Sequence, residues 1–211
     1  PVGATAQICD QATLSFAKKK ARRPTFVMSV ERDLDNPERE WRINKRLPGE
    51  LKLYCDLPEG RPQEDEYVMG ADIAYGLGGS YSSYSALAVL RKPFKDLDGK
   101  WRPADQVMEF RTNCVKPDDF ADLTVFFCKW FNNAYLVPEV NGPGELFVRT
   151  LSELGYRNTF KRPVNDKVRG SKRRLDPGYR NTDRGMSILT SLENAIRNNK
   201  VLINSQLCLR E

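Results

Sequence analysis

Two carboxylates stand where carboxylates are expensive. Asp72 lies within YVMGADIAYG, an apolar run of strand-forming residues, and Glu139 closes AYLVPEVN just before Asn141-Gly142-Pro143-Gly144. An ionised carboxylate moved out of water without a partner costs on the order of several kcal/mol. Each acid therefore needs a hydrogen bond, an ion pair or a cation, and a structural partner would satisfy either one alone. If both converge at one end of one sheet, they could instead share two divalent cations about 3.5 to 4 Å apart, which activate a water and stabilise the leaving oxygen in phosphodiester cleavage. That chemistry calls for further oxygen ligands, usually another carboxylate, because Mg²⁺ keeps water and substrate phosphate in its remaining positions.

Composition narrows the choice of metal. The 211 residues contain no histidine, which removes Ser-His and Cys-His nucleophile pairs and every His-ligated metal site. A metal here must be held by oxygens, so Mg²⁺ or Mn²⁺, with Ca²⁺ as the other hard cation, is expected. The five cysteines, Cys9, Cys55, Cys114, Cys128 and Cys208, are widely spaced without a CxxC and read as reduced intracellular thiols, several of them filling the core. A net charge of +6 suits a polyanionic partner. No apolar run approaches the roughly 18 residues of a membrane span, so a soluble protein with no membrane partner is expected. PVGATAQICDQ lacks the charged and apolar regions of a secretory signal, and a start without Met suggests a fragment of a longer chain.

The elements that must position the acids follow from period and turn chemistry. Residues 1 to 65 are rich in charge and turn formers and read as an arm or linker with one short helix and one strand, LKLYCDL. Residues 66 to 211 read as the core. Its first strand runs from Glu66 to Ala74, and YSALAVLRK and QVMEFRTN continue an antiparallel meander. After Lys116-Pro117 the period becomes helical. Asp118 and Asp119 complement the first turn, and Phe120, Leu123, Phe127, Trp130 and Phe131 share one face. AYLVPEVN reads as a buried strand, and GPGELFVRTLSELGY as a helix with Pro143 at its start and Gly155 past its end. A last helix, DRGMSILTSLENAIRNNK, is capped by Asp183, and VLINSQLCLRE begins a further strand. Three antiparallel strands followed by alternating helices and parallel strands is the order of the ribonuclease H-like α/β fold, a mixed sheet with helices on both faces. In such sheets ligands gather at the carboxyl ends of strands.

The blocks YVMGADIAYGLGGSYSSYSALAVL and AYLVPEVNGPGELFVRTLSELGY, then a helix and strand ending in LRE, resemble the nuclease domain of the large terminase subunit of tailed bacteriophages over residues 50 to 211. That resemblance implies a metal-dependent endonuclease that cuts concatemeric double-stranded viral DNA in the host cytoplasm, with Asp72 and Glu139 as catalytic metal ligands. It also implies an ATPase domain in the full-length chain, with the portal and the small terminase subunit as partners. Three departures matter. Ser80-Tyr81-Ser82-Ser83 stands where many relatives carry a second acid. The family's third ligand is expected beyond Glu211, where the core is read as truncated. No GxxxxGK[ST] phosphate loop occurs here, so this is the nuclease half.

The basic insertion 157 to 174 carries Arg157, Lys161, Arg162, Lys167, Arg169, Lys172, Arg173 and Arg174 against one acid, Asp166. On a Pro- and Gly-containing loop or hairpin, Lys161, Arg162, Lys167, Arg169, Lys172, Arg173 and Arg174 suit phosphate contacts, which give affinity without reading sequence. A solvated loop is the bland reading of the same charges. GLGGSYSS could cradle a phosphate with backbone N–H groups, but the residues after it read as a strand, which excludes a dinucleotide-binding turn. Two rival functions remain: a non-catalytic DNA-binding or motor-docking module whose acids are structural, and an actin- or sugar-kinase-like ATPase fragment. Resolvases and transposases would share the two acids but lack the EVNGPG block.

Overall fold

The computed structural model describes residues 10–32, 41–96, 98–165, 173–180 and 185–209. Helix α1 (Gln11–Lys20) leads into strands β1 (Phe26–Arg32), β2 (Trp41–Asn44) and β3 (Leu51–Leu53). Strands β4 (Tyr67–Asp72) and β5 (Ser85–Arg91) follow, then a small hairpin of β6 (Phe94–Lys95) and β7 (Trp101–Arg102), and strand β8 (Ala104–Thr112). Helix α2 (Pro117–Trp130), strand β9 (Tyr135–Pro138) and helix α3 (Gly144–Glu153) come next. A second hairpin, β10 (Lys161–Asn165) and β11 (Arg173–Pro177), precedes helix α4 (Gly185–Arg197) and strand β12 (Val201–Leu202).

The expected meander forms: β4 pairs β5, and β5 pairs β8, both antiparallel. β9 then adds parallel to β4, and β12 parallel to β8. The sheet runs in the order β2-β1-β3-β8-β5-β4-β9, with β12 beside β8. One face is built by alternate residues, Met69 and Ala71, Leu87 and Val89, Met108 and Phe110, and Leu136. The apolar faces of α2 and α3 cover it. Phe120, Phe127, Phe131 and Phe147 are fully buried there, and the Phe120 and Phe147 rings meet at 5.9 Å. α2 begins with Pro117 and two acids in its first turn, and stops where Asn132 and Asn133 take positive φ.

The segment before residue 66 differs from its sequence reading. It supplies α1 and three strands rather than one, and β1, β2 and β3 widen the core sheet beyond β8. Met28 pairs with Leu51 and Phe26 with Leu53, and Met28, Leu51 and Leu53 join the buried cluster. LKLYCDL, read as a strand, forms β3; β1 and β2 lie among charged, turn-rich segments that mask them, and only β3 reaches a distant partner, β8. An ion pair and a hydrogen bond fasten β1 and β2 to α2. Arg32 pairs with Asp119 of α2, and the Trp41 indole donates to Asp122 at 2.9 Å.

α1 is capped by Asp10, whose carboxylate accepts the Thr13 N–H at 2.7 Å. Its Ala17 packs with Ile196 and Leu209 in a second, smaller cluster. Asp183, expected to cap α4, lies outside the described residues. Cys128 is buried in the core, Cys55 is half-buried, and Cys114 and Cys208 are exposed; all four are reduced thiols. Burial pushes the Cys128 thiol up to about 12 and that of Cys55 up to about 11, so neither is activated. No described helix is long and apolar enough to cross a membrane.

Candidate active site

β4 and β9 run parallel, with Val68 opposite Tyr135 and Ala71 opposite Pro138. The ladder continues one step further, because the Glu139 N–H donates to the Ala71 carbonyl at 2.8 Å. Asp72 and Glu139 therefore sit at the carboxyl ends of neighbouring strands. The Asn-Gly-Pro-Gly turn then sends the chain directly into α3. Gly142 has φ +54°, and a Cβ on Gly144 would lie 2.2 Å from the Glu139 carbonyl oxygen, a distance only glycine tolerates. The Asn141 amide donates to Glu139 Oε1 at 2.7 Å and orients that carboxylate.

Both acids lie on the sheet face opposite the core. Register places Gly70 beside Ala88 and Asp72 beside Ala86, with Glu109 and Arg111 in the same rows one strand further on. Small residues therefore floor a cleft of about 640 Å³, walled by Ser83, Tyr84, Glu109, Arg111, Tyr179 and Cys208. Glu109 is a buried carboxylate held by Lys52 Nζ at 2.5 Å. The Arg111 guanidinium lies 4.4 Å above the Tyr84 ring. Sequence reasoning passed over Glu109, Arg111, Tyr84 and Tyr179. The signal for the first two was present: in VMEFRT they alternate with the buried Met108 and Phe110, so they had to face the opposite side.

Asp72 opens into this cleft, yet the surrounding protein strips enough water from its carboxyl to raise its pKa above the ordinary 3.8, and the Ile73 N–H offsets part of that rise. No described lysine or arginine pairs with Asp72 or Glu139, and no third acid joins them among the described residues. The donors present are all oxygens: two carboxylates and, beside them, the Asn141 amide. Such a set fits a hard divalent cation, and a cation would supply the charge that Asp72 lacks.

The basic insertion is a hairpin rooted on the strand that carries Glu139. At its base Thr159 bridges Leu136, the Tyr179 N–H donates to the Pro138 carbonyl at 2.8 Å, and the Val140 N–H donates to the Tyr179 carbonyl at 2.8 Å. Gly178, with φ +81°, leaves room for Val140 at this junction. Lys161 is exposed, whereas the Arg162 guanidinium donates to the Gly178 carbonyl at 3.3 Å and lies 4.0 Å from Asp176. Arg173 and Arg174 belong to β11, while Lys167, Arg169 and Lys172 lie outside the described residues.

The fold has solved counterparts. The large terminase nuclease of thermophilic phage G20c with bound magnesium aligns with TM-score 0.54 and 16% identity, over 93% of this chain and 76% of that one. The cobalt-bound form of the same nuclease aligns with TM-score 0.53 and 17% identity over 93% and 76%. The large terminase nuclease domain of Thermus phage P74-26 gives TM-score 0.50 and 15% identity over 94% and 75%. No family model and no curated protein matches the sequence. The likeness is one of architecture, and the chain has the mixed-sheet, ribonuclease H-like α/β fold.

Proposed function

We propose that this chain is a metal-dependent DNA endonuclease module of a viral genome-packaging terminase, cutting double-stranded DNA by means of Asp72 and Glu139. One observation carries the reading: two carboxylates without a described cationic partner stand side by side at the ends of parallel strands, over a cleft floored by small residues. The solved nuclease domains of like fold, one of them with bound magnesium, lend it support. Asp72 and Glu139 would hold Mg²⁺ or Mn²⁺, which when bound supplies Lewis-acid polarisation of the phosphate and activation of water. The Asn141 amide, donating to Glu139 Oε1, holds that carboxylate in one orientation. The hairpin rooted beside Glu139 carries Lys161, Arg173 and Arg174, whose charges would meet the phosphodiester backbone and align the duplex without reading its sequence. An ATPase domain, the portal and the small terminase subunit are the partners this role entails.

The test is cleavage of supercoiled plasmid by the full-length protein with Mn²⁺ or Mg²⁺. Wild type is expected to produce nicked and linear DNA, and Asp72→Ala and Glu139→Ala to leave the plasmid supercoiled. Equal cutting by wild type and both variants would sink the assignment. Binding without cutting by wild type would move the protein to the non-catalytic DNA-binding reading.

A further inference from the structure

The loop between β4 and β5 follows Asp72 directly and carries four large side chains that face solvent. Leu77 is 82% exposed, Tyr81 is fully exposed, and Tyr75 and Tyr84 are exposed as well. Four such side chains gathered on one loop, directly after a candidate catalytic acid, call for a partner. The backbone beneath is fastened. The Gly78 N–H donates to the Asn113 carbonyl at 2.7 Å, and the Asn113 amide returns a bond to the Gly79 carbonyl at 2.8 Å. Gly76, at φ +66°, lies so close to Val115 that a Cβ would meet its carbonyl oxygen at 2.1 Å. At the loop's root the buried Ser85 hydroxyl accepts the Ala74 N–H at 2.9 Å. A held backbone presenting exposed apolar tips is pre-organised, so little ordering entropy is lost on binding.

Tyr75 and Tyr84, near the two ends of the loop, fix where it sits. The Tyr75 hydroxyl reaches the Gly142 turn that follows Glu139, and Tyr84, under the Arg111 guanidinium, is a wall of the cleft. The patch therefore borders the two acids. Flat aromatic rings stack on any base, and aliphatic wedges slip between base steps that have lost their stacking. We propose that Leu77 and Tyr81 contact unstacked bases of DNA beside the scissile phosphate, so that the cleft selects duplex with a locally opened step over regular B-form duplex. This rests on the endonuclease reading and adds the state of the DNA to it.

The experiment measures binding of the full-length protein to two fluorescein-labelled duplexes, one fully matched and one with a central bulged nucleotide, without divalent cation so that nothing is cut. Wild type is expected to prefer the bulged duplex. Leu77→Ala combined with Tyr81→Ala should weaken that complex by about tenfold, the size of one base–aromatic stack, and leave the matched duplex nearly unchanged. Tyr81→Phe, which keeps the ring, should retain the preference. Both positions project into solvent, so the variants should melt with wild type. An unaltered ratio of the two affinities in the double variant overturns the loop proposal alone, provided that plasmid cleavage still depends on Asp72. If wild type binds neither duplex, the loop proposal falls, while the nuclease reading is decided by plasmid cleavage.

Discussion

The Glu139 N–H donates to the Ala71 carbonyl at 2.8 Å, which carries the β4–β9 pairing one residue past its last strand pair and sets Glu139 next to Asp72. This single bond decides whether the two acids can act as a unit. Anything that pushes the Glu139 backbone away from β4 should weaken metal binding without touching a carboxylate.

Gly144→Ala supplies such a push. Its new Cβ would meet the Glu139 carbonyl oxygen at 2.2 Å, and the obstacle is backbone, which cannot rotate aside. The substitution should cost roughly 1–3 kcal/mol, the usual range for overpacking. It should also lower Mg²⁺ affinity, read by titration calorimetry. Gly155→Ala is the comparison: it has φ +73° but nothing within 4 Å of a new Cβ. Its strain should cost about 1–2 kcal/mol and leave metal affinity alone.

Asp72 makes stability depend on pH in a definite direction. Its carboxyl pKa is raised by reduced hydration, so the folded state binds the proton more tightly than the unfolded chain. That contribution is complete below the ordinary 3.8 and is lost as pH rises through the folded value. Without metal, Asp72→Asn should therefore melt above wild type at neutral pH, and the difference should close on acidification below that window. Adding Mg²⁺ should raise the melting temperature of wild type and not that of Asp72→Asn.

At the far end of the sheet, Asp105 joins the N-terminal segment to the core. Its buried carboxylate accepts from Arg22 at 2.7 Å and from Arg91 at 3.0 Å, while the Arg91 guanidinium stacks 3.7 Å over Phe94. Among the described residues, Asp105→Ala leaves the half-buried Arg91 with the 3.4 Å ion pair to Asp65 as its remaining carboxylate contact. A destabilisation of about 3–5 kcal/mol is expected, as for other broken buried pairs, measured by urea unfolding.

For the β10–β11 hairpin, replacing Lys172, Arg173 and Arg174 by alanine should weaken duplex binding. The slope of log affinity against log salt should flatten by about 0.9 for each phosphate that is no longer neutralised. A slope equal to that of wild type would assign these side chains a structural role.

Much of the architecture was legible locally. The helical period from Phe120 to Phe131, the alternation in SALAVL and VMEFRT, and the turn chemistry of Asn141-Gly142-Pro143-Gly144 each follow from the residues themselves. So does the anomaly of an acid in an apolar strand, which pointed to Asp72. What the residues could not decide is who pairs with whom. Of the three strands before residue 66 only β3 showed in the sequence, and its pairing with β8 through Leu53 and Met108 is what brings β1 and β2 into the sheet. Glu109 and Arg111 became walls of the acid cleft because strand register carries them past Ala86 and Ala88. The basic hairpin became a neighbour of Glu139 because Tyr179 and Thr159 bond to β9. Local sequence sets which face a side chain takes. Its neighbours across the sheet are set by pairing between residues distant in the chain, and that pairing exists only once the tertiary structure has formed.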